Sequence, residues 1–448
     1  MKSKLLSIAG VLLLLVAALV QISAVVRDRQ MHRNIAIEGV AQSLAGPQTL
    51  TGPLLHMACM EEWEVGAGKQ ARAERREFRV VAAPALLTLA GTSQLEPRAR
   101  GLHATQVFSL KASIVAQWAN TEMLKPVALH AGSRMSCGQP LLMLAVSDAR
   151  GIRHASVRIG EQVLALKPGT FLGSHPRGVH APLPPAITRA APLEAQFELE
   201  LVGTSRLSVV PLGSDTRMQL TSNWPHPSFG GQFLPLERKI TDDGFEATWR
   251  VSALASTAQQ DLTREGTSGE KAVCPFSGEG AGGACVEAFS VAFVDPSNTY
   301  ALSDRATKYG LLFIGLTFLA VGLFEFMKSL RVHPIQYFLV GAAMSMFFLL
   351  LLSLSEHMRF DAAYAIAASS CVLLLTWYAS HMLGSWVRGL PFGLGIALLY
   401  GMLFVLLQIE QTALLVGAVA LFVVLAAVML LTRRIDWYAR LRQTGAAS

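Results

Sequence analysis

Charge is scarce in this chain. Asp, Glu, Lys and Arg together make up 15% of 448 residues, where about a quarter is usual for soluble domains. Cysteine is scarce too, with five residues and no C-x-x-C pair, so the usual spacing of a zinc or thiol-redox site is missing. No internal repeat is visible, and no serine sits in a G-x-S-x-G elbow. Residues 27–305 contain no apolar run long enough to cross a bilayer. These gaps remove the common catalytic signatures. What remains is apolar, 52% of the chain, and it is concentrated at the two ends.

The apolar runs read as membrane spans. The first covers residues 5–26, behind Lys2 and Lys4. A cleavable leader is the rival reading, because Ser23-Ala24 would serve as a small-residue cleavage site. The run is longer than the 7–15 residues of a leader's apolar core, so an uncleaved anchor is expected. Five further spans are expected at 310–327, 335–354, 360–380, 390–408 and 413–431. Six spans put both termini on one side. With the N-terminus cytoplasmic, that side holds Lys2, Lys4, Lys328, Arg331, Arg388, Arg433, Arg434, Arg440 and Arg442, and the opposite short loops hold only Arg359. The positive-inside rule orients the chain accordingly. These nine charges exceed the formal net charge of +7 for the whole chain. Its basic character therefore reflects topology and contact with anionic lipid rather than nucleic-acid binding.

The segment between the first two spans, residues 27–305, is expected on the exported side, and four cysteines lie in it: Cys59, Cys137, Cys274 and Cys285. In a bacterial periplasm such cysteines form lasting disulfides. Cys274 and Cys285 flank a Gly-rich run and are expected to pair, with Cys59 and Cys137 completing the set. Cys371 falls inside the fourth span as a small packing residue. No metal ligand set and no cofactor are indicated.

Within residues 27–305 the apolar residues alternate with polar ones in short stretches. Phe108, Leu110, Ala112 and Ile114 do so, as do Phe197, Leu199 and Leu201, and Phe245, Ala247, Trp249 and Val251. Weaker versions occur at 156–160, 207–210, 218–221 and 289–294. Period-two alternation buries one face of a strand and wets the other, so a β-rich, antiparallel sandwich-like domain is expected, as one large sandwich or two small ones. Residues 167–186, with five prolines and three glycines, and residues 256–283 read as loops.

One motif stands out in this domain: Trp224-Pro225-His226-Pro227-Ser228-Phe229-Gly230-Gly231. The prolines fix φ and restrict their neighbours, while the glycines allow tight turning. The simpler reading is a rigid corner that packs Trp224 and Phe229 onto the sheet. The sharper one is a docking loop for a ligand or partner. A hydrolytic role for His226 and Ser228 lacks the rest of the machinery.

In the membrane segment the ionisable residues draw attention because charge in lipid is costly. Glu325 ends the second span three residues before Lys328, in position for an interfacial ion pair. His333-Pro334 opens the third span, where proline suits a first turn. Glu356 and His357 close it. A carboxylate beside an imidazole could relay protons, yet adjacent side chains diverge on a helix, and an anchoring role is the simpler reading. Aromatic residues near span ends, among them Tyr309, Tyr337, Trp377, Trp386 and Trp437, form the expected interfacial belt. No pair of broken helices and no ionisable chain across mid-span signals a transporter.

Several of these residues also form recognisable words. Arg305-Ala306 with Lys308-Tyr309-Gly310, then Leu323-Phe324-Glu325, then His333-Pro334-Ile335-Gln336-Tyr337 and Leu339-Val340-Gly341, followed by the run from Leu350 to His357, resemble the CreD family of bacterial inner-membrane proteins, also called cell envelope integrity proteins. The Trp224–Phe229 corner and Ser147-Asp148-Ala149-Arg150-Gly151-Ile152 match that resemblance. It implies a role in envelope maintenance and in stress responses linked to wall-targeting antibiotics, and it supplies no reaction and no catalytic residue. The expected protein is therefore a non-enzymatic, six-span inner-membrane protein. Residues 1–26 are a cytoplasmic tip and anchor, 27–305 a β-rich periplasmic domain, 306–432 a five-helix bundle and 433–448 a basic cytoplasmic tail. Its expected partners are the lipid bilayer and an envelope protein, cell-wall or lipid ligand. The alternative is a transporter or membrane enzyme acting on lipid-linked material through Glu356 and His357.

Overall fold

The computed structural model describes residues 2–65, 72–100, 103–185, 191–264, 286–294, 299–328, 332–382, 385–409 and 413–433. The chain divides into a helical unit, residues 1–32 with 297–448, and a β unit, residues 33–296.

The first helix, α1 (Lys2–Ser43), runs well past the expected anchor end at residue 26. Leaving an apolar environment changes which residues are tolerated but does not end a helix. Nine of the 17 residues in 27–43 are Arg, Gln, Met, Ala or Glu, all good helix formers, and the first proline after them is Pro47.

Strand follows strand from there: β1 (Gln48–Val65), β2 (Arg72–Ala82), β3 (Leu86–Arg100), β4 (His103–Trp118), β5 (Arg134–Cys137), β6 (Leu141–Val146), β7 (Ile152–Ile159), β8 (Gln162–Leu164) and β9 (Lys167–Pro168). Next come β10 (Gly178–Pro182), β11 (Leu193–Thr204), β12 (Arg206–Val209), β13 (Asp215–Ser222), β14 (Pro227–Gly231), β15 (Glu237–Thr241) and β16 (Gly244–Ser252). A short helix α2 (Ala258–Arg264) and β17 (Phe289–Phe293) complete the unit. One sheet runs β14-β17-β12-β1-β6-β10-β9, with β2 and β5 also on β1, and the other runs β15-β16-β13-β3-β4-β11-β7-β8.

Both sheets bury one shared core, with Leu54, Leu142 and Phe289 from the first and Phe108, Ile114, Phe197 and Trp249 from the second. The unit is therefore one sandwich rather than two. Alternation is plain on β11, where burial switches at nearly every residue. It fails on β1, whose residues Leu50–Met57 are buried on both faces. The sheets are antiparallel except where β1 meets β12 and β13 meets β3, which pair in parallel. Two stretches that read as loops contain regular structure. Residues 167–186 hold β9 and β10, because Gly178 and the residues after it pair with β6, and residues 256–283 begin with α2.

Cys59 and Cys137 stand directly opposite each other on β1 and β5 and form a disulfide, with S–S 2.01 Å. The expected Cys274–Cys285 pair lies outside the described residues.

The helical unit continues with α3 (Thr299–Lys328), α4 (Pro334–Ser355), α5 (Phe360–Met382), α6 (Trp386–Gln408) and α7 (Ala413–Thr432). Among the described residues four helices, not six, are long and apolar enough to cross a membrane: Leu6–Ser43, Pro334–Ser355, Phe360–Met382 and Gly389–Gln408. In α3 the uncharged stretch between Lys308 and Glu325 is about 16 residues, close to the lower limit for a span, and several side chains at its end lie outside the described set. Along α7 no residue is charged, and several of its side chains lie outside the described set.

Bare backbone lets these helices approach closely. A Cβ on Gly341 would run into Leu15 of α1, and one on Gly310 would meet Phe348 and Leu19. Leu15, Leu19 and Ile22 consequently lie in the core of the helical unit. Gly389 and Gly393 of α6 face Ser380 and Thr376 of α5 in the same way. This is the small-residue packing expected where lipid supplies no hydrophobic drive for helix association.

Candidate functional site

The Trp224–Gly231 motif is half corner, half strand. Its lead-in is sewn to both sheets. Asn223 Oδ1 accepts from the Leu95 N–H at 2.8 Å on β3, and the Trp224 indole N–H donates to the carbonyls of His226 and Val294, each at 3.1 Å. From Pro227 the chain becomes β14 and pairs with β17, Phe229 opposite Val291. Phe229 packs its ring against Phe245 at 5.5 Å and Trp249 at 5.7 Å, so it is a core anchor. Gly231 closes the strand at φ +84°, and a Cβ there would strike the Ala288 carbonyl, so only glycine fits. His226 stays exposed and Ser228 half-buried. Among the described residues no hydrogen bond joins the two, so the motif assembles no nucleophile and base. It does present the edge of a nine-stranded sheet.

The Ser147–Ile152 word forms a second knot. Asp148 accepts from the Gly46 N–H at 3.2 Å, from the Arg150 N–H at 3.1 Å and from the Arg150 guanidinium. The same guanidinium donates to the Gln42 carbonyl near the end of α1. Gln48 bridges the Asp148 and Val202 carbonyls. Arg150's hydrogen bonds, opposed by burial, hold the Asp148 carboxyl down at about 2. The knot fixes the point where helix becomes sheet.

In the helical unit Glu325 and Glu356 each bond a tyrosine, at opposite ends of the α3–α4 hairpin. Glu325 on α3 accepts from the Tyr337 hydroxyl on α4 at 2.9 Å and from the Val332 N–H at 3.2 Å. The expected partner Lys328 has no described side chain. Glu356, at the C-terminal end of α4, accepts from the Tyr300 hydroxyl on α3 at 3.3 Å and lies 3.8 Å from Arg29 of α1. These bonds tie the hairpin together at both ends.

His333 caps α4. Its Nδ1 accepts from the Ile335 N–H at 3.3 Å, and the Gln336 side chain accepts from the His333 N–H at 3.0 Å, a capping box with Pro334 at the first helical position. His357 is exposed and bonds back to the Ser353 carbonyl at 3.1 Å, away from Glu356. The side chains of His333, Gln336, Tyr337, Ser355, Glu356 and His357 thus each have a local structural job. Tyr300 and Arg29, which contact Glu356, carry no sequence signal, because their partner lies more than 50 residues away. Among the described residues no group of three His, Cys, Asp or Glu side chains converges to hold a metal. Cys371 is buried within hydrogen-bonding distance of Tyr400, at 3.2 Å, as a packing residue would be.

An N-terminal helix, a large β-rich unit and a set of C-terminal apolar helices define a membrane protein built around a sandwich domain. The family described as "Inner membrane protein CreD" matches residues 1–438. The chain belongs to that family. It is 37% identical over 437 residues to inner membrane protein CreD of Escherichia coli (strain K12), covering 97% of this chain and 93% of that protein. Solved structures match it only loosely. A putative nutrient binding protein from Legionella pneumophila is 8% identical with a TM-score of 0.24, covering 52% of this chain and 77% of that one. An M1 zinc metallopeptidase from Deinococcus radiodurans is 10% identical with a TM-score of 0.21, covering 51% of this chain and 53% of that one. Neither carries an argument about this chain.

Proposed function

We propose that this protein maintains envelope integrity without catalysis, as a six-span inner-membrane protein whose exported sandwich contacts an envelope partner. In this reading α3 and α7 also span, both termini are cytoplasmic, and the protein acts in the stress response to wall-targeting antibiotics. The observation that carries it is the edge strand β14. It ends a nine-stranded sheet, it is locked from behind by Phe229 and Trp224, and its lead-in leaves His226 exposed. Among the described residues β14 pairs with β17 alone, and a rigid strand edge of this kind is suited to binding an extended segment by strand addition. The chemical alternative at Glu356 and His357 has less support, since the first is tied to Tyr300 and the second to its own helix.

The test uses a deletion strain challenged with detergent and β-lactams and rescued with Trp224→Ala/His226→Ala. The double variant, expressed at wild-type level with its disulfide intact, is expected to lose rescue. Full rescue would remove this surface from consideration.

A further inference from the structure

Between β4 and β5 the chain leaves the sandwich and exposes apolar side chains: Met123 is 58% exposed, Val127 74% and Leu129 66%. Exposed apolar residues are ordinary when scattered. These three fall within seven residues, on a loop held from several sides. Leu124 anchors it in the core at 3% exposure. The fully buried carboxylate of Glu61 on β1 accepts from the Leu129 N–H at 2.9 Å, the His130 N–H at 3.0 Å and the Ser133 hydroxyl at 2.8 Å. Arg76 balances that charge at 3.2 Å, and the His130 ring stacks on Trp63 with centroids 3.9 Å apart. The Cys59–Cys137 disulfide then closes the loop covalently. A buried ionised carboxylate is costly unless it is bonded and paired, and here two of the three hydrogen bonds to its Oε1 come from the loop backbone while Arg76 pairs its Oε2. The fold fixes this loop in one shape while leaving its apolar residues in solvent. Such pre-organisation lowers the ordering cost of binding.

The flanking charges point to the occupant. Glu122 precedes Met123 and Lys125 follows Leu124, both exposed, and among the described residues neither takes part in an ion pair. A two-fold contact sets the same patch against itself. Met123, Val127 and Leu129 would then meet their own copies, while each Lys125 faces the other chain's Glu122. The patch is self-complementary in both polarity and charge.

We infer that the loop carrying Met123, Val127 and Leu129 is a homodimer contact, its partner a second copy of this chain. Reversing one charge leaves two like charges facing their copies. Glu122→Lys and Lys125→Glu should therefore each weaken self-association by at least about tenfold, while a mixture of the two regains it by pairing opposite charges. Both sites are exposed, so folding should survive, and the intact Cys59–Cys137 bridge on non-reducing gels checks that it has.

The direct assay places a benzophenone-bearing amino acid at Val127 of the full-length chain in its membrane. The expected adduct has twice the mass of the chain. It should disappear in either charge variant alone and reappear when the two are co-expressed. The same probe at Val163, 71% exposed at the far edge of the second sheet, should give no such adduct. Absence of a dimer adduct, an adduct to lipid or to a protein of another mass, or a dimer adduct indifferent to the charge reversals would each overturn the inference.

Discussion

Single residues in this protein mostly close joints. Asp148 shows it best. Its carboxyl is held at about 2 by Arg150 and by the Gly46 N–H, while an unfolded aspartate titrates near 3.9. A carboxyl depressed on folding stabilises the fold above its unfolded value, and that stability fades as pH falls toward the folded value. Stability from this joint should therefore be full above about pH 4 and lost between about pH 4 and pH 2. The shift corresponds to roughly 2 kcal/mol at face value, reduced by the solvent around Arg150 to about 1 kcal/mol. Asp148→Asn should lower the midpoint of thermal unfolding at pH 7 and flatten its dependence on pH below 4. Calorimetry of the purified protein in detergent across pH 2–7 measures both, and an unchanged acid limb would show that other carboxylates set it. The joint lies where α1 hands over to β1, so it bears on a whole element and not only on a turn.

At the scale of elements, legibility followed local physics. The strands β4, β11 and β16 were readable because one face is dry and the other wet, which writes period two into the sequence. By contrast β1 was hidden. With both its faces covered, Leu50–Met57 are buried at every position, polar Thr51 and His56 included, so no period shows in the sequence. The extra length of α1 was also hidden, because a helix can leave lipid without any stop signal. In the Trp224–Gly231 motif the rigid corner was legible from its prolines and glycines, but the pairing of β14 with β17 was not, since it joins residues about 60 apart.

The contact between α5 and α6 is readable once Gly389 and Gly393 are seen to face Ser380 and Thr376. A Cβ on Gly389 would lie 2.7 Å from the Ser380 Cα, and one on Gly393 would overlap the Thr376 side chain. Gly393→Leu should push the two helices apart and cost about 1–3 kcal/mol by overpacking. Gly401→Leu, on the same helix with open space around its Cβ position, should cost little. Thermal unfolding of the two variants in one detergent should separate them by several degrees, and equal midpoints would count against this packing.

For the whole molecule, charge bears on how many times the chain crosses. Among the described residues four helices qualify on length and apolarity, and α3 and α7 are apolar runs of similar length in the sequence. On charge, the basic residues of the short loops and termini fall on one side only if α3 and α7 cross as well: Lys328 and Arg331 follow α3, and Arg433, Arg434, Arg440 and Arg442 follow α7. If neither crossed, α4, α5 and α6 would carry the chain from the outer to the inner side in three passes, and Lys328 and Arg331 would lie outside with Arg388. Orientation in bacterial membranes follows such a bias with few exceptions. The 16-residue uncharged stretch of α3 does not forbid a span, because Lys308 can extend its charged end to the interface and the Glu325 carboxylate accepts a hydrogen bond from Tyr337. The six-span arrangement therefore predicts that an alkaline-phosphatase fusion after Ser297 is active. Fusions after Arg331 and at the C-terminus should be inactive, and one after Met358 active. Fusions of a fluorescent protein that folds only in the cytoplasm should give the reverse pattern. Activity of the phosphatase after Arg331 would show that α3 stays outside, and the bond between Tyr300 and Glu356 would then need a different setting.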